Sequence, residues 1–185
     1  LFLANVLNAG TAVIGLIDGL AETTASLMKI YSGGLSDKLG QRKWITVAGY
    51  AVSAFSKPFL YIANTWGWVL GVRVSDRLGK GIRTAPRDAL VADSIDEKQR
   101  GLAFGVHRAG DTAGAFVGVA VAALIVWLTE RGAADLTRRT FQIAVLVSII
   151  PALLALVVLA VGAHETGIQK KSTVPALSLQ GMDLR

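Results

Sequence analysis

Residues Trp66 to Asp93 read WGWVLGVRVSDRLGKGIRTAPRDALVAD. The stretch begins as a membrane helix would, then sets Arg73, Asp76, Arg77, Lys80, Arg83, Arg87 and Asp88 where lipid should lie. One charge at the bilayer centre costs roughly 2.5–3.5 kcal/mol on insertion scales. Seven of them scattered around a helix would not insert. On an α-helix, however, all seven fall within an arc of about 140°. The opposite side carries Val74, Leu78, Ile82, Ala85 and Ala89, which lipid or other helices accept. The pattern is a helix with a wet face and a dry face, and the wet face needs a water-filled cavity or counter-charges on its neighbours. Taken alone, the stretch also fits a soluble amphipathic helix, or a helix ending near Gly79 followed by a loop. The rest of the chain decides between these.

Charged residues make up 17% of the 185 residues and hydrophobic residues 52%, with a mean hydropathy of +0.52. A typical soluble domain is about 25% charged. In a membrane the length allows five or six spans of about 20 residues. No cysteine is present, which excludes disulfides and thiolate metal sites. The net charge of +6 would suit nucleic acid, but the apolar spans would not; basic loops on one side of a membrane account for it better. Because the chain opens on Leu1 and closes on a polar run at Arg185, a piece of a longer protein is expected.

Outward from the opening stretch, the expected order is as follows. Residues 1–10 form the end of a preceding helix and a turn at Asn8 and Gly10. Residues 11–35 form a first full span, in which Asp18, Glu22 and Lys29 lie within about 40° of one another. A basic loop, 36–43, leads to a span over 44–64, interrupted at Lys57-Pro58. The charged helix follows over 66–92, where Pro86 would bend it. After a charged connector at 94–100 come spans over 101–128 and 140–162, then a polar tail over 164–185. Lys38, Arg42, Lys43, Lys98, Arg100, Lys170 and Lys171 fall on one side. The other side has Asn64-Thr65 and the mixed-charge loop 129–139, so the positive-inside rule makes the first side cytoplasmic. Aromatic placement agrees, with Trp66, Trp68 and Trp127 at the outer boundary and Tyr31 and Trp44 at the inner one.

Between the first two full spans lies GGLSDKLGQRK, Gly33 to Lys43. Gly33 and Gly34 permit close helix approach, and Gly40 permits a positive φ. Gly33, Leu35, Ser36, Asp37, Lys38, Gly40, Arg42 and Lys43 match the signature between the second and third helices of the major facilitator superfamily, and the run resembles it closely. Gln41 departs from it, since a basic residue is usual there. Arg77 to Arg83 also looks like that family's fourth-helix motif. Pro86 to Arg100 resembles the end of that helix and its connector, with Asp93 at the acidic position. The resemblance implies an all-α membrane protein: helices two to six of an amino-terminal six-helix bundle. The first helix and the carboxy-terminal half would then be partners supplied by the rest of the same transporter. It also implies a cytoplasmic gate motif of Gly33, Asp37, Gly40, Arg42, Lys43, Asp93 and Arg100, whose ion pairs break as two halves rock.

The charges within the spans are the candidate substrate and coupling site. Arg73, Arg77 and Lys80, with Asp76 nearby, would face a central cavity near the midplane. Such a bundle of cations suits an anionic solute. Asp18 and Glu22 are candidate proton carriers, or else they neutralise Arg73 and Arg77 for structure alone. His107 and Asp111, one turn apart, are candidates for a proton relay or for an inner network with Arg108. Gly110, Gly114 and Gly118 form a small-residue face suited to helix packing. The antiporter motif of the family's fifth helix is absent, because Phe116-Val117-Gly118-Val119 lacks its Pro and its Gly pair. No metal and no cofactor is expected. The expected function is a secondary active transporter in the plasma or inner membrane, moving a small polar solute, with protons as the coupling ion. Its alternatives are a membrane enzyme acting on phospholipid head groups and a non-transporting interaction module. Asp76, Asp88 and Asp93 do not have the spacing of a metal-ligand cluster.

Overall fold

A backbone kept from water must satisfy its hydrogen bonds within each segment, and this chain does so with helices. The computed structural model describes residues 2–7, 9–130 and 136–165, the Asn5 side chain apart. Asn8, Arg131, Asp135 and the tail with Lys170 and Lys171 lie outside the described residues. The helices are α1 (Phe2–Asn5), α2 (Thr11–Leu39), α3 (Arg42–Ser56), α4 (Trp66–Asp93), α5 (Arg100–Glu130) and α6 (Arg138–Gly162). Short 3-10 turns at Lys57–Leu60 and Glu97–Gln99 follow α3 and precede α5. The described residues contain no strand.

Local chemistry sets the boundaries. The Thr65 hydroxyl accepts the Trp68 N–H at 3.2 Å and starts α4. Thr137 does the same for α6, taking the Thr140 N–H at 3.4 Å. At Lys57-Pro58 the α-helix gives way to a 3-10 turn, because Pro58 has no N–H to donate. Fifteen α-helical and four 3-10 residues together reach roughly 30 Å, about one hydrocarbon thickness. Pro86 and Pro151 lie inside α4 and α6, which continue through them.

One expectation needs correcting. The basic loop foreseen over 36–43 is a turn of two residues, Gly40 and Gln41, because α2 continues to Leu39. Gly40 adopts φ 67°, and its N–H donates to the Ser36 carbonyl at 3.0 Å. This left-handed glycine just past the helix end closes the last turn of α2. Asp37 and Lys38 are therefore helical.

α4 lies between α2 and α3, and glycine lets it approach both. A Cβ on Gly79 would come within 2.6 Å of the Gly49 carbonyl oxygen on α3. On the other side, a Cβ on Gly81 would come within 2.5 Å of the Ala25 carbonyl oxygen on α2. Small and hydroxyl residues complete the seams. Ser32 donates to the Gly81 carbonyl at 3.1 Å, and Ser53 donates to the Asp76 carbonyl at 3.0 Å. Ile17, Ala21 and Ala25 are buried along α2. Gly110, Gly114 and Gly118, expected to pack helices, meet nothing within 4 Å, and α5 has no buried residue. In the described structure the tight approaches are made at Gly49, Gly79 and Gly81 instead.

The outer surface is apolar. Leu102, Phe116, Val119 and Val161 are each more than 70% exposed, and Trp44, Trp66 and Trp127 are exposed as well. A water-soluble fold rarely leaves so much apolar surface uncovered. α5 and α6 are long and apolar enough to cross a bilayer; α2 and α4 have the length but carry more charge.

Gly79→Ala in the full-length protein is expected to cost about 1–3 kcal/mol through overpacking. Thermal unfolding in detergent should show a lower midpoint for Gly79→Ala than for Gly114→Ala, which has open space around it. Equal midpoints would mean that the α3–α4 seam is not tight.

Candidate functional site

The arc of charge on α4 is divided among three neighbouring helices. Arg73 meets Asp18 of α2 at 3.3 Å. Arg77 and Lys80 share Glu22, one turn further along α2, at 3.5 and 3.7 Å. Residues at i and i+4 lie on one helix face, so Asp18 and Glu22 form an acidic strip opposite the basic strip of α4. The side chains of these pairs are between 28% and 60% exposed, so each pair remains in contact with solvent space. Lys29 stands apart from these pairs.

The other edge of the arc turns elsewhere. Arg83 lies over the Tyr50 ring of α3 at 4.3 Å and donates to the Ser53 hydroxyl at 2.9 Å. It therefore does not belong to the wet face that the helical arc assigned to it. Arg87 meets its neighbour Asp88 at 3.3 Å and Asp111 of α5 at 3.8 Å. Asp111 also meets His107 at 3.8 Å. His107 and Asp111 are thus together, and it is Arg87 rather than Arg108 that joins them.

Asp76 shares a cavity of about 560 Å³ with Asp18, Arg73 and Lys57. The cavity lies among α2, α4, α6 and the turn after α3, and Phe2, Leu60 and Phe141 supply part of its apolar wall. Two acids and two bases line it, so a solute with separated charges could be oriented there.

At the opposite end of the bundle, Arg42 is the hub. Its guanidinium pairs with Asp93 at the end of α4 and with Asp37 at the end of α2, the latter at 3.3 Å. It also donates to the Ala89 carbonyl at 3.1 Å. The Arg42 side chain is 11% exposed and that of Asp93 22%, so this pair is far better shielded than those along α2. Gly33 lets α2 close on α4, where a Cβ would meet that of Ala85 at 3.3 Å. Gly40 makes the turn. The remaining members of the expected gate motif lie apart from the hub. Lys43 extends over Trp44 at 5.1 Å, and Arg100 pairs with Glu97 at 3.2 Å while donating to the Ala92 carbonyl. Arg100 thus holds the connector to the end of α4 rather than joining the Arg42 pairs.

Glu165, which the sequence reading passed over, accepts the backbone N–H groups of Arg42 and Lys43. The only local sign of it was that Gln41 is a poor N-cap residue.

The profile of the Major Facilitator Superfamily matches residues 1–181. The chain belongs to this superfamily, whose fold is an all-α membrane fold. It is 39% identical over 117 residues to an uncharacterized MFS-type transporter of Methanocaldococcus jannaschii, covering 63% of this chain and 29% of that protein. An uncharacterized protein of Mycobacterium tuberculosis is 33% identical over 113 residues, covering 60% of this chain and 27% of the relative. The multidrug resistance protein MdtH of Cronobacter sakazakii is 29% identical over 119 residues, covering 64% of this chain and 28% of that protein. The chain matches less than a third of the length of each of these curated relatives.

Breaking a well-shielded pair costs far more than breaking an exposed one, which is worth about 0–1 kcal/mol. Asp93→Asn is therefore expected to destabilise the full-length protein more than Asp18→Asn. Arg42→Gln and Asp93→Asn should be non-additive by about 0.5–3 kcal/mol in a double-mutant cycle of thermal unfolding. Additive losses would show that the two side chains do not act as a pair.

Proposed function

We propose that this chain is most of the amino-terminal bundle of a secondary active transporter that works by alternating access. Its spans would be 11–35, 44–64, 66–92, 101–128 and 140–162. The turn at Gly40 and the connector 94–100 would lie in the cytoplasm, and the membrane would be the plasma or inner membrane. Superfamily membership supports transport as the activity. The observation that carries the reading is the arrangement along α4: its ionised side chains meet carboxylates and solvent space, while apolar side chains cover the outside.

The solute is a small polar one, and the charge balance of the strip favours an anion. Arg73, Arg77 and Lys80, with Lys57 of the cavity, stand against three carboxylates, Asp18, Glu22 and Asp76, which leaves one positive charge in excess. An arriving anion would compete with Glu22 for Arg77 and Lys80. A proton taken up by Glu22 would release the same two cations, which is how proton and solute would be coupled. His107 and Asp111 would belong to the inner network with Arg87 or relay the proton. Asp37, Arg42 and Asp93 would form the latch that holds one of the two states and opens in the other.

The enzyme alternative is less well supported. Its three acids go to separate places: Asp93 to Arg42, Asp88 to Arg87, and Asp76 to the cavity. The MdtH relative is named for multidrug resistance. Phe116 to Val119 lacks the antiporter pattern, so this reading does not extend a drug substrate to the present chain.

Transport by the full-length protein in proteoliposomes under an imposed pH gradient tests the reading. Arg77→Ala is expected to lower uptake at least about tenfold, the effect of losing roughly 1.4 kcal/mol of binding. Leu154→Ala, on the exposed face of α6, should leave it unchanged. Normal transport by Arg77→Ala would remove the charge strip between α2 and α4 from the proposal.

A further inference from the structure

α3 begins without a local cap. Gln41 stands at the capping position, and its side chain bonds none of the free N–H groups of the first turn. The partner comes from the far end of the chain. Glu165 lies just beyond α6, and its Oε1 accepts the Arg42 N–H at 2.7 Å. Its Oε2 accepts the Lys43 N–H at 3.1 Å, with Oε1 at 3.3 Å from the same nitrogen. A carboxylate at a helix N-terminus satisfies orphan donors and meets the positive end of the helix dipole. The sequence separation is 123 residues, so this contact is tertiary and ties the segment leaving α6 to the first turn of α3.

What Glu165 holds gives the contact its meaning. It takes the main chain of Arg42, the residue whose side chain meets Asp37, Asp93 and the Ala89 carbonyl. One residue is thus fixed from both ends: the backbone by the segment leaving α6, the guanidinium by the ends of α2 and α4. Thr46, fully buried one turn later, donates to the Arg42 carbonyl at 2.8 Å and stiffens the same turn. Arg42 cannot release Asp93 by a swing of its first helical turn unless Glu165 moves as well.

We propose that Glu165 is a positioning residue of the latch, and that through it the chain following α6 controls the aim of Arg42. This rests on the reading of Asp37, Arg42 and Asp93 as a latch. It adds an input to that latch: loss of the Glu165 contact frees the first turn of α3 and shifts the balance between latched and open states. The segment leaving the bundle would then help set the state of the gate as well as serving as a tether.

The test uses the full-length protein with a single cysteine at Thr46→Cys, read by the labelling rate with a membrane-impermeant maleimide. In the parent the site is buried and should label slowly. Glu165→Ala is expected to raise the rate by roughly two- to tenfold, the population change that follows loss of one helix cap. Glu165→Gln keeps one accepting oxygen and should fall between the two. It also gives a reading if the alanine variant fails to fold. Asp93→Asn should raise the rate as well, and the combination with Glu165→Ala should fall short of the product of the two single effects. If Arg42→Gln raises labelling while both Glu165 variants match the parent, the inference fails and the latch stands. If Glu165→Ala and Asp93→Asn simply multiply, the cap acts on α3 alone and control of Arg42 is refuted. If Arg42→Gln itself changes nothing, the latch reading fails and this inference fails with it.

Discussion

The absence of a methyl group at Gly79 and Gly81 allows the rest of the arrangement. With these two positions bare, α4 lies against main-chain atoms of α3 on one side and of α2 on the other. Hydrophobic association drives little of this in lipid, where tails are as apolar as leucine; close van der Waals packing and interhelical hydrogen bonds take its place. Ser32 and Ser53, each donating to a carbonyl of α4, supply such bonds at both seams. Only with α2 held this near can Asp18 and Glu22 reach Arg73, Arg77 and Lys80.

That proximity resolves an electrostatic problem. Seven ionised groups on one helix cannot face hydrocarbon, and the structure shares them out. Two go to the shielded seam and to the α5 side, where Arg83 finds Tyr50 and Ser53 and Arg87 finds Asp111. Three go to the carboxylates of α2, while Asp88 pairs with Arg87 on α4 itself and Asp76 lines the cavity. The pairs along α2 stay partly exposed and are weak. The Arg42–Asp93 pair is shielded and joined by further bonds, which makes it the stronger contact.

Much of this was legible in the sequence. The all-helical membrane class followed from length, apolar runs and charge spacing, and the family followed from Gly33 to Lys43. The 40° arc holding Asp18 and Glu22 placed both acids on one face, and they are found together opposite α4. What sequence could not supply was contact between distant segments. Helical angles put Arg83 at the edge of the arc but could not say that a tyrosine of α3 would lie beneath it. The glycines of a regular four-residue repeat on α5 drew notice, while the close approaches fall at Gly49, Gly79 and Gly81, which have no such repeat. A glycine's use depends on what faces it, and spacing alone does not reveal that. The loop expected over 36–43 shrank because Ser36, Asp37 and Lys38 continue the helix until Gly40 ends it. Glu165 escaped notice because a cap supplied from 123 residues away leaves no local pattern beyond the poor capping residue at Gln41.

The two-residue reversal at Gly40 and Gln41 has a mechanical corollary. So short a link leaves no slack for α2 and α3 to slide past one another by a helical turn, about 5.4 Å. At that end the two helices must travel as one piece, like the legs of a hairpin. Any relative displacement between them has to grow with distance from the bend, so the largest excursions belong to the Thr11 end of α2 and the Ser56 end of α3. The bend itself is the fulcrum.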